Sequence, residues 1–298
     1  MLSILIPTYN YDITRLVNEL HRQAMESYAD FEIVVMEDGS TRFLEENNTI
    51  AELEFCRYTV LPENVGRSAI RNKLADEAKY EHLLFLDCDA EVKDTHFVQR
   101  YLAFEKENCV VIGGTAYDEN ENNPAYSLRL KYGREREAKS AELRSVHDHL
   151  SHFSTFNFLI TKQIFNQIRF DETVRGYGHE DTLFGHGIAE LGCEVHHIDN
   201  PIIHKGLDNN KVFIEKTENG TKNLYLMYQS GKYPFLANQS KLLKKFIQIK
   251  KYNNHRILAV LFPIFKGYLI KKISAKNPNL KAFDIYKLLY LCKISTRQ

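Results

Sequence analysis

Apolar runs without alternation recur through the first two thirds of the chain, and stretches with apolar positions three and four apart separate them. Leu2-Ser3-Ile4-Leu5-Ile6, Phe31-Glu32-Ile33-Val34-Val35-Met36 and Leu83-Leu84-Phe85-Leu86 are such runs. Each fits a strand covered on both faces, as in a parallel sheet. Between the first two, Ile13, Leu16, Val17 and Leu20 share one face of a helix that Asp12 is placed to cap. The pattern goes on to predict a short strand over Cys56–Leu61 and a helix over Gly66–Ala78, its start loosened by Gly66. Asp94 then caps a helix carrying Phe97, Val98, Tyr101 and Leu102. Further strands fall on residues 109–114 and 156–161. A helix over Glu180–Leu191 stops at Gly192, and residues 194–199 read as a last strand. Strands alternating with helices predict an α/β fold with a mostly parallel, Rossmann-like sheet. Arg134–His149 is charged with a weak apolar stripe, which predicts a surface helix or a lid over the sheet edge. No repeat or low-complexity segment interrupts the chain.

Several strand ends carry polar clusters. His82–Leu86 runs straight into Asp87-Cys88-Asp89. In open α/β sheets, ligands bind beyond the carboxyl ends of the strands, and two carboxylates there repel unless a positive charge lies between them. A divalent cation meets that need; the plain alternative is a solvated acidic loop. Pro7-Thr8-Tyr9-Asn10 and Glu37-Asp38-Gly39-Ser40 end two other strands. Asp38 suits either ligand recognition or a turn before Gly39. Arg67 and Arg71 lie four apart, hence on one helical face. Their guanidinium forks suit phosphate oxygens, or they form a solvated cationic face.

Charge divides the chain unevenly. The formal net charge is zero over 298 residues, yet residues 241–298 hold fourteen Lys and Arg against the single acid Asp284. That tail carries +13 and the remainder −13. An acidic body with a basic tail suggests that the tail meets something anionic. Leu242, Leu243, Phe246 and Ile249 fall at helical spacing beside Lys244, Lys245 and Lys250, a makeup that can lie in a membrane interface. The alternative is that these faces pack on the rest of the protein. Ile257–Ile270 is too short for a membrane span and is interrupted by Pro263 and Lys266. Five cysteines with no C-x-x-C pair fit reduced thiols. The chain opens directly into a strand-like run, so the expected location is cytoplasmic, peripherally at the inner face of the membrane.

Taken in order, Pro7-Thr8-Tyr9, Asp38, the Asn64–Asn72 element, Asp87-Cys88-Asp89 and Gly178-His179-Glu180-Asp181 with Leu183-Phe184 resemble the motifs of GT-A fold glycosyltransferases of family 2. The resemblance covers roughly residues 2–205 and implies a catalytic domain over 1–210, followed by a helical extension over 211–298. It implies an inverting sugar transfer from a nucleotide sugar, a UDP-sugar above all, to a hydroxyl of a glycan or lipid-linked acceptor. Pro7, Thr8, Tyr9, Asp38, Arg67, Arg71, Asp87 and Cys88 would then bind the nucleotide sugar. Asp89, Asp87 and His204 would hold Mn²⁺ or Mg²⁺, and the metal would stabilise the departing diphosphate. Asp181 would be the base on the acceptor hydroxyl, with Glu180 orienting a sugar. By the residues alone, those two acids could equally favour a helix N-terminus. His179 would position the acceptor or pack. Tyr117, Tyr126 or Tyr177 would stack the acceptor sugar, since the chain has no Trp. Nucleic acid is not an expected partner.

Other classes fit less well. A nicotinamide-dependent dehydrogenase wants G-x-G-x-x-G after the first strand, where Pro7-Thr8-Tyr9-Asn10 stands instead. A sugar nucleotidyltransferase wants a Gly-rich phosphate loop that is absent. A nucleotide-sugar-binding scaffold without catalysis would have no need of four intact acids.

Overall fold

A computed structural model describes residues 1–27, 29–146, 153–174 and 176–296. They form two compact units. The first comprises Met1–Asp118, Glu137–Arg175 and Glu180–Gly206; the second comprises Glu119–Arg136, Gly176–His179 and Leu207–Gln298. The last segment of the first unit ends at Gly206, and two earlier segments group with the C-terminal helices.

The first unit is built on a seven-stranded sheet in the order β3-β2-β1-β4-β8-β6-β9. Its strands are β1 (Leu2–Thr8), β2 (Phe31–Glu37), β3 (Cys56–Val60), β4 (His82–Leu86), β6 (Cys109–Ile112), β8 (Asn157–Thr161) and β9 (Glu194–His197). All neighbours pair parallel except β8, which runs antiparallel to both β4 and β6. A three-stranded sheet joins β5 (Ala90–Glu91), β10 (Ile202–His204) and β7 (Thr115–Ala116) in the order β5-β10-β7. β9 is therefore not the last strand; β10 follows it and pairs His204 opposite Ala90.

The unalternated run of β4 has the cause expected of it. Leu84 and Leu86 join Leu16, Val17 and Leu20 of α1 (Thr14–Glu26) on one face. Leu83 and Phe85 join Ile70 and Leu74 of α2 (Arg67–Glu77) on the other. Full burial of such a side chain contributes roughly 1.5–3 kcal/mol, so β4 is firmly fixed where its acids begin. Phe184, on α4 (Glu180–Leu191), stacks on Phe170 at 4.1 Å, and Phe85 stacks on Phe158 at 5.0 Å. These rings anchor the start of α4 to the same core as β4. The remaining predicted helix is α3 (Phe97–Leu102).

Two local expectations need correction. Asp12 does not cap α1 through the usual second or third amide; its carboxylate accepts from the amide and hydroxyl of Thr14, the first helical residue, at 3.0 and 2.7 Å. The charged stretch from Arg134 is not one surface helix. Residues 133–137 form a wide helical turn, Ala141–Ser145 a short helix, and 147–149 lie outside the described residues. Arg144 explains the break. It is 2% exposed and donates to the carbonyls of Ile112, Gly113 and Ile198 at 2.8, 3.2 and 2.7 Å. A buried guanidinium satisfied by carbonyls is a fastening, not a solvated face.

The second unit is helical. Its main elements are α5 (Asn210–Ser230), α6 (Lys241–Lys251), α7 (Asn254–Ile273) and α8 (Leu280–Ser295). Phe213, Phe262, Phe283 and Tyr286 form its core. Leu243 and Phe246 of α6 are fully buried, so that face is packed and not open to a membrane. On α7 the reverse holds: Ile257, Val260, Ile264, Phe265 and Tyr268 are 46–67% exposed, at spacings that share one side of the helix. Among the described residues, no helix is long and apolar enough to cross a membrane.

Candidate active site

The carboxyl ends of β1, β2 and β4 gather the expected polar clusters within the first unit. Asp38, 5% exposed, accepts from the amides of Val65 and Gly66 at 2.6 and 3.1 Å. Burial nevertheless raises its pKa, against those two donors. Gly39 is required here: its φ is +67°, and a Cβ would meet the Asn64 amide nitrogen at 2.5 Å. Tyr9 stands 53% exposed, whereas Thr8 is buried and turns its hydroxyl back toward the Ile6 carbonyl at 3.4 Å. Pro7 pairs in register with Met36 across β1 and β2.

The two acids after β4 have different surroundings. Asp87 accepts from Arg71 at 2.6 Å, and Arg71 is only 4% exposed. Burial raises the Asp87 pKa; Arg71 opposes that shift and Asp89 adds to it. Arg71 is thus committed to Asp87 and lies 5.6 Å from the Phe170 ring. Arg67, one turn away, is more open and lies 3.2 Å from Glu180. Cys88 between the acids is a thiol whose pKa is raised by burial and then by Asp89.

Asp89 points to the other side. Its Oδ2 lies 3.2 Å from His204 Nε2. Burial pushes its pKa up, but the imidazole, with the Asp89 backbone amide and Arg67, outweighs this and the net shift is downward. Three features fix the pair. The short β5–β10 pairing sets His204 opposite Ala90. Phe156 and Tyr117 pack edge-on to the imidazole at 5.2 and 5.7 Å. Gly206 leaves room, since a Cβ there would come within 2.1 Å of Asp89 Oδ2. A carboxylate oxygen beside an imidazole nitrogen, with a second carboxylate two residues away, is a donor set that Mn²⁺ accepts and Mg²⁺ partly shares. Two adjacent ligands on an octahedral ion with bonds of about 2.1 Å lie about 3 Å apart, so the residues present fit such an ion.

Glu180 and Asp181 open α4, where the helix N-terminus favours anions. Asp181 accepts from the Thr155 hydroxyl at 3.1 Å. Burial pushes its pKa up to about 7, with the Glu180 charge adding and Arg71 opposing. Arg71 thus acts electrostatically on both Asp87 and Asp181.

Over residues 3–169, more than half of the chain, the sequence matches the profile of Glycosyl transferase family 2. The chain belongs to glycosyl transferase family 2. It is similar to a chondroitin synthase of Pasteurella multocida (strain Pm70), 27% identical over 294 residues. That match covers 86% of this chain but 29% of the relative, so the chain spans under a third of that protein's length. Among solved structures it is similar to S. aureus TarS 1-349 in complex with UDP-GlcNAc (18% identity, TM-score 0.54, 100% of this chain and 91% of that one). The mannosyltransferase PcManGT from Pyrobaculum calidifontis, in complex with GDP-Man and Mn²⁺, gives 14% identity and TM-score 0.57, over 99% of this chain and 86% of that one. The fold of this family 2 chain is GT-A.

Some residues that shape the site lie in the strand-end clusters and motifs but were given no role from sequence. Glu37, 0% exposed, accepts from Asn47 and Tyr58 at 2.8 and 3.2 Å and also bonds Ser40. Asn10 joins this knot through Ser40 at 2.9 Å. Asn72 bonds the Phe170 amide at 3.0 Å and Glu172 at 2.7 Å, tying α2 to the segment that follows β8. The signal for Glu37 is its place in the polar cluster that ends β2. The proposed acceptor stackers fare differently. Tyr117 is 6% exposed against His204 and bonds Glu137, so it cannot stack a sugar. In the second unit, Tyr177 lies under Lys216 at 5.6 Å, and the His179 ring bonds the Gly220 carbonyl at 3.0 Å; His179 is packed. Tyr126 is half-buried in that same unit.

Proposed function

We propose that this chain transfers a sugar from a UDP-sugar to a hydroxyl of a glycan or lipid-linked acceptor, with inversion and with Mn²⁺ or Mg²⁺ bound at Asp89. The observation that carries this reading is the opposite tuning of two acids, one beside an imidazole and one at the start of a helix. Asp89 is kept ionised beside His204, and Asp181 is raised to about 7 at the start of α4. Asp89 and His204 would hold the ion, with Asp87 oriented by Arg71. When bound, the ion offsets the negative charge that develops on the departing diphosphate. Asp38 and Tyr9 would receive the base and ribose, and Arg67 would face the diphosphate. Asp181, with a pKa near the working pH, is matched to taking a proton from an acceptor hydroxyl. The UDP preference is supported by the TarS complex with UDP-GlcNAc, the metal by the PcManGT complex with Mn²⁺, and a glycan acceptor by the name of the chondroitin synthase relative.

A panel of nucleotide sugars tests this. Nucleoside diphosphate release should require Mn²⁺ or Mg²⁺, favour a UDP-sugar, rise with glycan acceptors, and disappear in Asp89→Ala. Release that is indifferent to chelator would remove the metal from the reading. The same reading places the exposed stripe of α7, with Arg256, Lys271 and Lys272 at its ends, on an anionic membrane. The chain should then pellet with anionic vesicles at low salt and not with neutral ones. Replacing Ile264 and Phe265 by Ser should release it.

A further inference from the structure

At the amino end of the sheet, away from Asp87 and Asp89, a second group of metal-binding side chains meets on one face. Cys109 and His196 lie on neighbouring parallel strands, β6 and β9, with Cys109 opposite Glu194 and Val111 opposite His196. Side chains two apart on a strand share a face. Cys109 on β6 and Glu194 and His196 on β9 therefore share a face, and Glu107, just before β6, joins them. The His196 Nε2 lies 3.2 Å from Glu107 Oε2 and 3.3 Å from Glu194 Oε1. The ligand atoms of Glu107, Cys109 and His196 all fall within 4.8 Å of one another.

The surroundings hold this group in place. His82 meets the Glu107 carbonyl at 3.1 Å, and the Phe104 ring lies 5.2 Å from the His196 ring. Cys109 is fully buried. His196 Nε2 is shut off from solvent, yet no hydrogen bond reaches it. Burial pushes the Cys109 thiol up to about 12, and the charges of Glu107 and Glu194 add to the shift. A carboxylate, a thiol and an imidazole nitrogen thus lie within reach of one ion, and the Glu194 carboxylate reaches the same imidazole.

We propose that Glu107, Cys109, Glu194 and His196 form a second metal site, for Zn²⁺, distinct from the Asp89–His204 pair. Sulfur, nitrogen and two carboxylate oxygens are the ligand types of four-coordinate zinc. A thiolate also selects against the hard ions that suit an oxygen-rich site. On binding, the Cys109 S–H bond breaks, sulfur forms a bond to the ion, and the proton leaves to solvent. The ion joins the first residues of two strands, so its work is structural: it pins β9, the edge of the sheet, to β6.

Cobalt substitution decides the matter. The full chain is stripped with a chelator and titrated with Co²⁺, then with Zn²⁺. The expected result is a thiolate-to-cobalt charge-transfer band that saturates at one ion per chain, is displaced by Zn²⁺, and is absent in Cys109→Ser. Because Cys88 neighbours the other acids, Cys88→Ser and Asp89→Ala are the controls, and both should keep the band. His196→Ala, at a half-buried position, should weaken Zn²⁺ at least about tenfold and abolish the zinc-dependent rise in unfolding temperature. It decides the case should Cys109→Ser fail to fold by circular dichroism. No band in the parent chain, a band lost in Cys88→Ser, or unchanged zinc affinity in His196→Ala would each overturn the proposal. None of these results depends on sugar transfer.

Discussion

Asp89 and Asp181 are both aspartates at the end of a secondary-structure junction in the same unit, and their environments push them in opposite directions. Asp89 faces an imidazole at 3.2 Å and has a lowered pKa. Asp181 faces Glu180 and a neutral hydroxyl, and burial lifts it to about 7. Arg71 lies near enough to act on Asp181 but makes its direct bond to Asp87. The difference teaches that the position of one guanidinium and one imidazole, not the identity of the acids, separates an anion-holder from a proton acceptor.

The strongest way to break this comparison is Asp181→Asn. It keeps shape and removes basicity, so transfer should fall by on the order of 10²–10⁴-fold, while donor affinity changes little. Near-parental transfer would shift the base to Glu180. Asp89→Ala should cut turnover by about 10²–10³-fold and abolish the response to Mn²⁺, measured as diphosphate release over a metal titration. Next in size is pH. With Asp181 near 7, transfer should drop about tenfold per unit as pH falls below that value; the limb should move in Asp181→Glu, and a limb that stays in place would mean that another group is the base. His204→Gln should weaken metal affinity by roughly 10–100-fold and leave Asp181 titration in place, which a pH profile at saturating Mn²⁺ would show.

The smallest effect is on stability, and its sign is specific. The folded pKa of Asp181 lies above its unfolded value of about 3.9, so protonation favours the fold. Its contribution is full below about pH 4 and is lost as pH rises through about 7. Asp181→Asn never acquires the buried charge. It should melt roughly 2–4 °C above the parent at pH 8, with the gap closing toward pH 4 in thermal scans. A gap that widened on acidification would contradict the raised pKa.

Much of the first unit was legible because burial on two faces leaves a mark in sequence. The unalternated runs gave β1, β2 and β4, and the polar residues that end them lie where the chain leaves the sheet. Glu180 opens α4 and Gly192 ends it, as spacing and helix-stop chemistry indicated. What stayed hidden depended on pairing between distant segments. Nothing local says that β8 runs antiparallel between β4 and β6, since a fully buried strand reads alike in either direction. The three residues of β10 are too short for a periodic signal, so only the family resemblance, not the pattern, set His204 beside Asp89. Arg144 looked solvated because charge in sequence does not reveal a ring of carbonyls waiting in space. The lysine-flanked apolar faces of α6 and α7 looked alike, but one is core and the other lies open.

The antiparallel insertion of β8 also sets an order of events during synthesis. β1 to β4 can pair through short crossovers as soon as they emerge. The free edge of β4 then waits for Asn157–Thr161, more than seventy residues later in the chain, before β6 and β9 can join. Such distant pairing is slow and leaves an unpaired edge exposed meanwhile. The same late strand brings Thr155 and the Phe156 carbonyl, which accepts from the Asp87 amide at 3.2 Å. The nascent protein therefore carries its acids long before it can aim them, and a ribosome that stalled between β6 and β8 would display an adhesive, inactive half-sheet.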